Sequence, residues 1–440
     1  MHRPQSASPA TPSGRRSDLG KRRGRGLLLF ILLAPFAGAA VVSVDARLRP
    51  RLETGPLLQI VGPDELTVVW RATDWNGPIL GGEVRWNDAN DRRLTRGNSA
   101  AGSAGGYLAA SIDARTAPVA PGDALRRAAF TYELRNPGWF GGSRVVARQK
   151  GVRRPAAPGT PFRFLAFGDS GNGSNTQRAL ARIMRDARPD LVIHVGDLVY
   201  PNGDARDYPR NFFEPYREMI VRVPFMPSLG NHDVATGRGG PFLDVFALPR
   251  NGPAGVEPER NYWFDFGDAR YVALDTNRAE AGGAVPESDM RDRVAPWLRG
   301  VLTDCGRRWK FVFCHHPPYS NSTHGPQEQA YMRDLFVPVF DACGVDVVFA
   351  GHNHLYERTH PLRAGTRAPP GRGTVYIVTG AGGVSRYAER QPVPEFIAAY
   401  NDAVFSFTRV DVSAERVEVR QIGEDGREID AATIEARTGL

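Results

Sequence analysis

Lysine is almost missing from this chain. Lys21, Lys150 and Lys310 are its only examples and every other base is arginine, a bias of composition that points to no particular chemistry. Cysteine is as scarce: Cys305, Cys314 and Cys343 can form one bridge at most, which excludes a disulfide framework. Cys314 lies in an apolar run, where a buried thiol is expected, so any pair would be Cys305 with Cys343. Positive charge is missing from most of the molecule despite a net +8. Up to Glu53 there are ten bases against three acids, a difference of seven, and the remainder is near neutral. A basic groove for nucleic acid is therefore not indicated, and no nucleic-acid partner is expected.

What is present starts with a charge-free apolar block from Gly26 to Val44, behind the basic residues. Its form is that of a secretion signal, with Ala37-Gly38-Ala39 as a small-x-small cleavage site and Pro35 inside the block. An uncleaved anchor is the alternative, since about 18 apolar residues just span a bilayer. Either way the basic flank stays inside and the rest is exported, with residues 1–44 as the only route to a membrane. Arg15-Arg16 suggests twin-arginine export, although Ser17-Asp18-Leu19 fits that signal poorly.

The 440 residues leave room for two cores. Residues 55–150 carry short β-branched and aromatic runs, among them Leu66–Arg71, Gly82–Trp86 and Phe130–Leu134, between Gly, Pro, Asn and Asp turns; the spacing predicts a small all-β sandwich with Trp70 and Trp86 in its core. Residues 151–160 read as a linker. From 161 to 425 strands alternate with helices, which predicts an α/β layered domain with mixed sheets and outer helices, and 426–440 is set apart as a tail. In this second domain five strands end in polar clusters: Gly168-Asp169-Ser-Gly171, Gly196-Asp197-Leu-Val-Tyr200, Gly230-Asn231-His232-Asp233, His315-His316-Pro-Pro-Tyr319 and Gly351-His352-Asn-His354. One Gly-Asp after a strand is an ordinary turn. Five such clusters beyond strand ends are the usual geography of an α/β active site, and their carboxylates, imidazoles and phenol are metal ligands.

These five blocks resemble those of the calcineurin-like metallophosphoesterase superfamily. Asp169-x-Gly171, where most relatives have Asp-x-His, together with Tyr200, resembles the purple acid phosphatases within it. The resemblance runs from about Phe162 to Gln421 and includes Tyr262-Trp-Phe-Asp265 and His354-Leu-Tyr-Glu-Arg358; the strands before it are similar in position to the fibronectin-like domain of plant-type members. It implies one metal on Asp169, Tyr200 and His354, a second on Asn231, His315 and His352, and Asp197 between them. The metals would be Fe(III) and a divalent Zn, Fe or Mn. It further implies His232 and His324 as the groups that contact phosphate and protonate the leaving alcohol, and attack by a metal-bound hydroxide on a phosphate monoester. His316 is read as an outer neighbour of the metals and His194 as a core histidine. Rival readings are a phosphodiesterase or nucleotidase on the same centre, and a non-catalytic binding protein.

Overall fold

Many of the short apolar runs bracketed by Gly, Pro, Asn or Asp form strands. The computed structural model describes residues 49–437 apart from 63–64, 75, 80, 88–91, 100–106, 114–128, 139–141 and 325–327. The apolar block of residues 26–44, and with it the signal-or-anchor expectation, lies outside the described residues. Among the described residues no helix is long and apolar enough to cross a membrane.

The first half carries β1 (Arg51–Gly62), β2 (Glu65–Asp74), β3 (Gly77–Pro78), β4 (Gly81–Asn87), β5 (Arg92–Ser99), β6 (Leu108–Asp113), β7 (Ala129–Pro137) and β8 (Ser143–Arg153). Their ladders run in one continuous order, β1-β2-β6-β5-β4-β7-β8, with β3 on β2. Trp70 is fully buried, its indole N–H donating to Asn136 at 3.2 Å, and Trp86 is buried as well. Strand β8 reaches three residues into the stretch read as a linker. This half is fastened to the next by the Tyr132 hydroxyl, which donates to Val221 O at 2.9 Å, and by Gln59, which accepts from Ala247 N at 2.7 Å.

The second half holds β9 (Phe162–Phe167), β10 (Leu191–His194), β11 (Phe225–Pro227), β12 (Tyr262–Phe266), β13 (Ala269–Leu274), β14 (Trp309–Cys314), β15 (Val347–Ala350) and β16 (Tyr356–Thr359). A small hairpin, β17 (Leu362–Arg363) and β18 (Thr366–Arg367), precedes β19 (Val375–Thr379), β20 (Ile397–Asn401), β21 (Ser406–Val412), β22 (Arg416–Gly423) and β23 (Glu428–Glu435). Two sheets result, β11-β10-β9-β21-β22-β23 and β12-β13-β14-β15-β19-β16-β20. Strands β9, β10 and β11 are parallel, as are β13, β14, β15 and β19. The parallel strands β10, β15 and β19 are buried throughout, so their sequences are unbroken apolar runs instead of alternating ones. The sheets meet at Phe164, whose ring centroid lies 5.4, 5.5 and 5.6 Å from those of Tyr271, Phe311 and Phe349.

Three details depart from expectation. The stretch set apart as a tail supplies β23, paired with β22: Asp430, Ala432 and Ile434 are partly or fully covered while Ala431, Thr433 and Glu435 between and beyond them are exposed, the two-residue period of a strand. Residues Gln329 to Ala342, whose pattern alone reads as one helix, are divided between Glu328–Leu335 and Val337–Cys343, since Pro338 has no N–H to continue the first. Cys305 and Cys343 are not bridged: all three cysteines are free, and the Cys343 thiol lies against Thr303 and the Arg299 carbonyl.

Candidate metal centre

The ends of five strands converge on one point. Asp169 follows β9, Asp197 follows β10, Asn231 opens the turn after β11, His315 follows β14, and His352 and His354 follow β15. Asp169, Asp197 and His352 all adopt left-handed backbone, with φ of 56°, 56° and 66°, where side chains other than glycine are strained. Close approach is bought by glycine: a Cβ on Gly230 would stand 2.1 Å from Asp197 Oδ1. Gly171 answers the question raised by its place in the motif. A Cβ there would lie 1.5 Å from Leu198 O, so no histidine fits, and Gly171 O instead accepts from Tyr200 N at 2.7 Å. The glycine thus brings the Tyr200 loop over the site.

On one side the donors are oxygens with a single imidazole. The Tyr200 hydroxyl lies 2.7 Å from Asp197 Oδ2, 3.4 Å from Asp169 Oδ1 and 3.2 Å from His354 Nε2. Asp169 also accepts from the His352 N–H, at 3.1 Å for the nearer oxygen. His354 Nδ1 is 2.6 Å from Ser385 Oγ, and its ring stacks on Tyr387 at 4.2 Å, which leaves Nε2 facing the oxygens.

On the other side the donors are mostly nitrogens. Asn231 Oδ1 sits 2.9 Å from His315 Nε2 and 3.0 Å from His352 Nδ1. His315 Nδ1 donates to the Val195 carbonyl at 2.9 Å, so the Nε2 lone pair points into the site, 3.5 Å from Asp197 Oδ2. His316 also brings a nitrogen near His315 and His352, but its Nδ1 is engaged with Thr276 Oγ1 at 2.9 Å.

The electrostatics suit cations. Burial pushes the Asp197 acid up, yet the imidazoles of His315 and His232, the Tyr200 hydroxyl and the His232 N–H outweigh it and hold the group below the ordinary carboxylate range. Burial, then Asp197 and Asp169, push the Tyr200 phenol well above its usual value. His352 is held well below the usual imidazole range by burial and by its histidine neighbours, which keeps it neutral and able to ligate. Two buried carboxylates side by side, with imidazole lone pairs turned toward them and no Lys or Arg bonded to either among the described contacts, form a donor set that fits two metal ions.

Of the residues singled out from the sequence, the seven ligand candidates come together here. His232 lies at the rim, with Nδ1 2.5 Å from Pro201 O and Nε2 3.9 Å from Asp197 Oδ2. The exposed His324 ring is 5.1 Å from that of His352 and 4.7 Å from that of Tyr387. His194 is fully buried with Nε2 3.0 Å from Ser170 Oγ, and burial pulls its pKa down to about 3. Sequence reasoning named Asp233 only as a member of its cluster and gave it no role; its buried carboxylate accepts from the N–H groups of Leu198, Val199 and Gly230 and so ties the Asp197 loop to the Asn231 loop. It also missed Ser385 and Tyr387, although the run Gly380-Ala-Gly-Gly383 after β19 marks one more polar strand end.

Comparison with known proteins agrees with this geometry. Residues 162–356 match the calcineurin-like phosphoesterase family model. An uncharacterized protein of Mycobacterium tuberculosis is 30% identical over 285 residues, covering 54% of this chain and 53% of its own length. Purple acid phosphatase 23 of Arabidopsis thaliana is 29% identical over 262 residues, covering 52% of this chain and 54% of its own length. The match thus spans about half the length of these relatives. The purple acid phosphatase PPD1 from yellow lupin seeds shares the fold, with a TM-score of 0.67 at 18% identity over 86% of this chain and 74% of the other. Residues 162–356 therefore form a calcineurin-like metallophosphoesterase domain, with purple acid phosphatases among its relatives.

Proposed function

We propose that this chain is an exported phosphatase that hydrolyses phosphate monoesters at a dinuclear metal centre. One observation carries the reading: the Tyr200 hydroxyl lies within hydrogen-bonding distance of Asp169, Asp197 and His354 at once. We assign Asp169, Tyr200 and His354 to an Fe(III) ion, because carboxylate and phenolate oxygens suit a hard trivalent cation. Asn231, His315 and His352 are assigned to a divalent ion, Zn, Fe or Mn, with Asp197 shared between the two. When bound, such a pair neutralises phosphate charge and lowers the pKa of water to ~7.

The chain's own residues do the remainder. His232 commits Nδ1 to Pro201 O and leaves Nε2 at the rim, where it can meet a phosphate oxygen. His324, exposed beside His352, is assigned to donate the proton to the departing alkoxide. No serine or cysteine nucleophile is required, and burial pushes the Cys314 thiol up to about 12, out of any such role. The strands of residues 51–153 are carried in this proposal as a fibronectin-like domain.

The test is a visible spectrum with metal analysis on protein purified without chelator, then p-nitrophenyl phosphate turnover for wild type and Tyr200→Phe. Expected are two metals per chain including iron, a charge-transfer band lost or shifted in the variant, and monoester hydrolysis. A colourless protein that prefers bis-p-nitrophenyl phosphate would move the reading to diesters. No metal and no turnover after reconstitution with iron plus Zn or Mn would overturn it.

A further inference from the structure

The loop that carries His324 is gripped from beneath by two buried carboxyl groups. The Asn321 N–H donates to Glu357 Oε1 at 2.7 Å, while Asn321 Nδ2 donates to Glu389 Oε1 at 2.7 Å and to Arg390 O at 2.8 Å. Around these bonds Ser322 and Glu389 form an antiparallel bridge, Arg390 N donates to Asn321 O at 3.0 Å, and Thr323 N donates to Ala388 O at 3.0 Å. Glu357, on β16, is 1% exposed and Glu389 is 7% exposed. Neither Oε2 has a partner of its own, and the two carboxyl groups are brought side by side by their common bonds to Asn321, with the Ser320 hydroxyl also bonded to Glu357.

Two carboxylates that close and that buried cannot both stay ionised. A single proton between them supplies the missing donor to both oxygens. We propose that Glu357 and Glu389 share one proton and act as positioning residues, clamping Asn321 so that His324, three residues on, is held over the metal centre. The role given to His324 rests on the phosphatase reading; the clamp itself does not.

Burial, then the hydrogen bond and charge of Glu389, push the Glu357 acid well above the usual carboxylate range. The shared proton is therefore kept to higher pH than an ordinary glutamate keeps its own, and the clamp is lost as pH rises through that raised value. The surrounding charges leave the pair to itself. Asp402 accepts the Glu389 N–H at 3.0 Å, Arg390 reaches Thr323 O, Arg386 turns to the Asp402 and Ala403 carbonyls, and Arg358 on β16 turns away to Asp430.

Two variants separate clamp from fold. In Glu389→Gln the amide donates permanently to Glu357 and no shared proton is needed; in Asn321→Ala the pair stays and the loop is cut from it. Hydrogen exchange of the 317–324 peptide in the full chain, corrected for intrinsic rate, is the first readout, with the helix Asn175–Asp186 as fold control. Wild-type protection should fall about tenfold as pH is raised through the titration of the pair, Glu389→Gln should keep it, and Asn321→Ala should lack it throughout. The second readout compares a substrate whose alkoxide needs a proton, glycerol phosphate, with p-nitrophenyl phosphate, whose phenolate does not. Asn321→Ala should lose about tenfold or more in kcat on the first and stay within about threefold on the second. The same pH dependence in wild type and Glu389→Gln, or wild-type protection in Asn321→Ala, would overturn the clamp. Equal losses on both substrates would overturn its link to His324. If wild type hydrolyses neither substrate the phosphatase reading falls, while hydrogen exchange still decides the clamp.

Discussion

The two sides of the metal centre are built from different atoms and held in different ways. Around Tyr200 the donors are two carboxylates, a phenol and one imidazole; around Asn231 they are one amide oxygen and two imidazoles. The imidazole of the oxygen-rich side is oriented by side chains, with Ser385 and Tyr387 fixing the His354 ring. The nitrogen-rich side leans on backbone, through the Val195 carbonyl against His315 Nδ1. The contrast teaches that two cations of unlike hardness are expected, and that each side can be weakened without the other.

The largest effect should come from erasing the contrast at the one residue that belongs to both sides. Asp197→Ala is expected to lose both ions and at least about a thousandfold in turnover, read by metal content and rate together. Loss of one ion only would remove Asp197 from the shared position. Asn231→Ala should cut divalent affinity about 10- to 100-fold and leave the colour of the oxygen-rich side in place. Ser385→Ala is the mirror experiment. Freed from Ser385, the His354 ring should bind the Tyr200-side ion about tenfold more weakly, with the other ion untouched in competition titrations. A variant that releases both ions equally would mean that the sides are not separable.

The remaining expected effect bears on the fold and not on the ions, and it lies behind both sides. His194 is neutral in the fold down to about pH 3, whereas in the unfolded chain it takes a proton near 6.5. Between those values the unfolded state binds more protons, so this residue makes stability fall as pH falls, by up to ~3 kcal/mol at pH ~4. Replacing it by glutamine should flatten that part of the pH dependence of chemical denaturation for metal-free protein; an unchanged slope would show that other groups carry it.

How much of this was legible in the sequence depended on distance along the chain. The ligand candidates stand within six residues of a strand end, so pattern and glycine placement located Asp169, Asp197, Tyr200, His315, His352 and His354. What stayed hidden joins parts far apart. Asp233 bonds backbone N–H groups 34 and 35 residues away, and Asn321 reaches Glu389 across 68 residues, with nothing in the local sequence to announce either. Strand β23 was missed for a related reason: edge strands are short and polar on one face, so Glu428–Glu435 reads as a tail until its pairing with β22 is seen.

The left-handed backbone at Asp169, Asp197 and His352 has a consequence for how such a centre is assembled. A conformation that costs on the order of 1–3 kcal/mol at each position is offset by bonds among the turns themselves: Asp169 N donates to Gly196 O, Ser170 N to Asp197 O, and His352 N to Asp169. Three separate strand ends are thereby locked to one another, and a change at any one of these turns is felt at the other two.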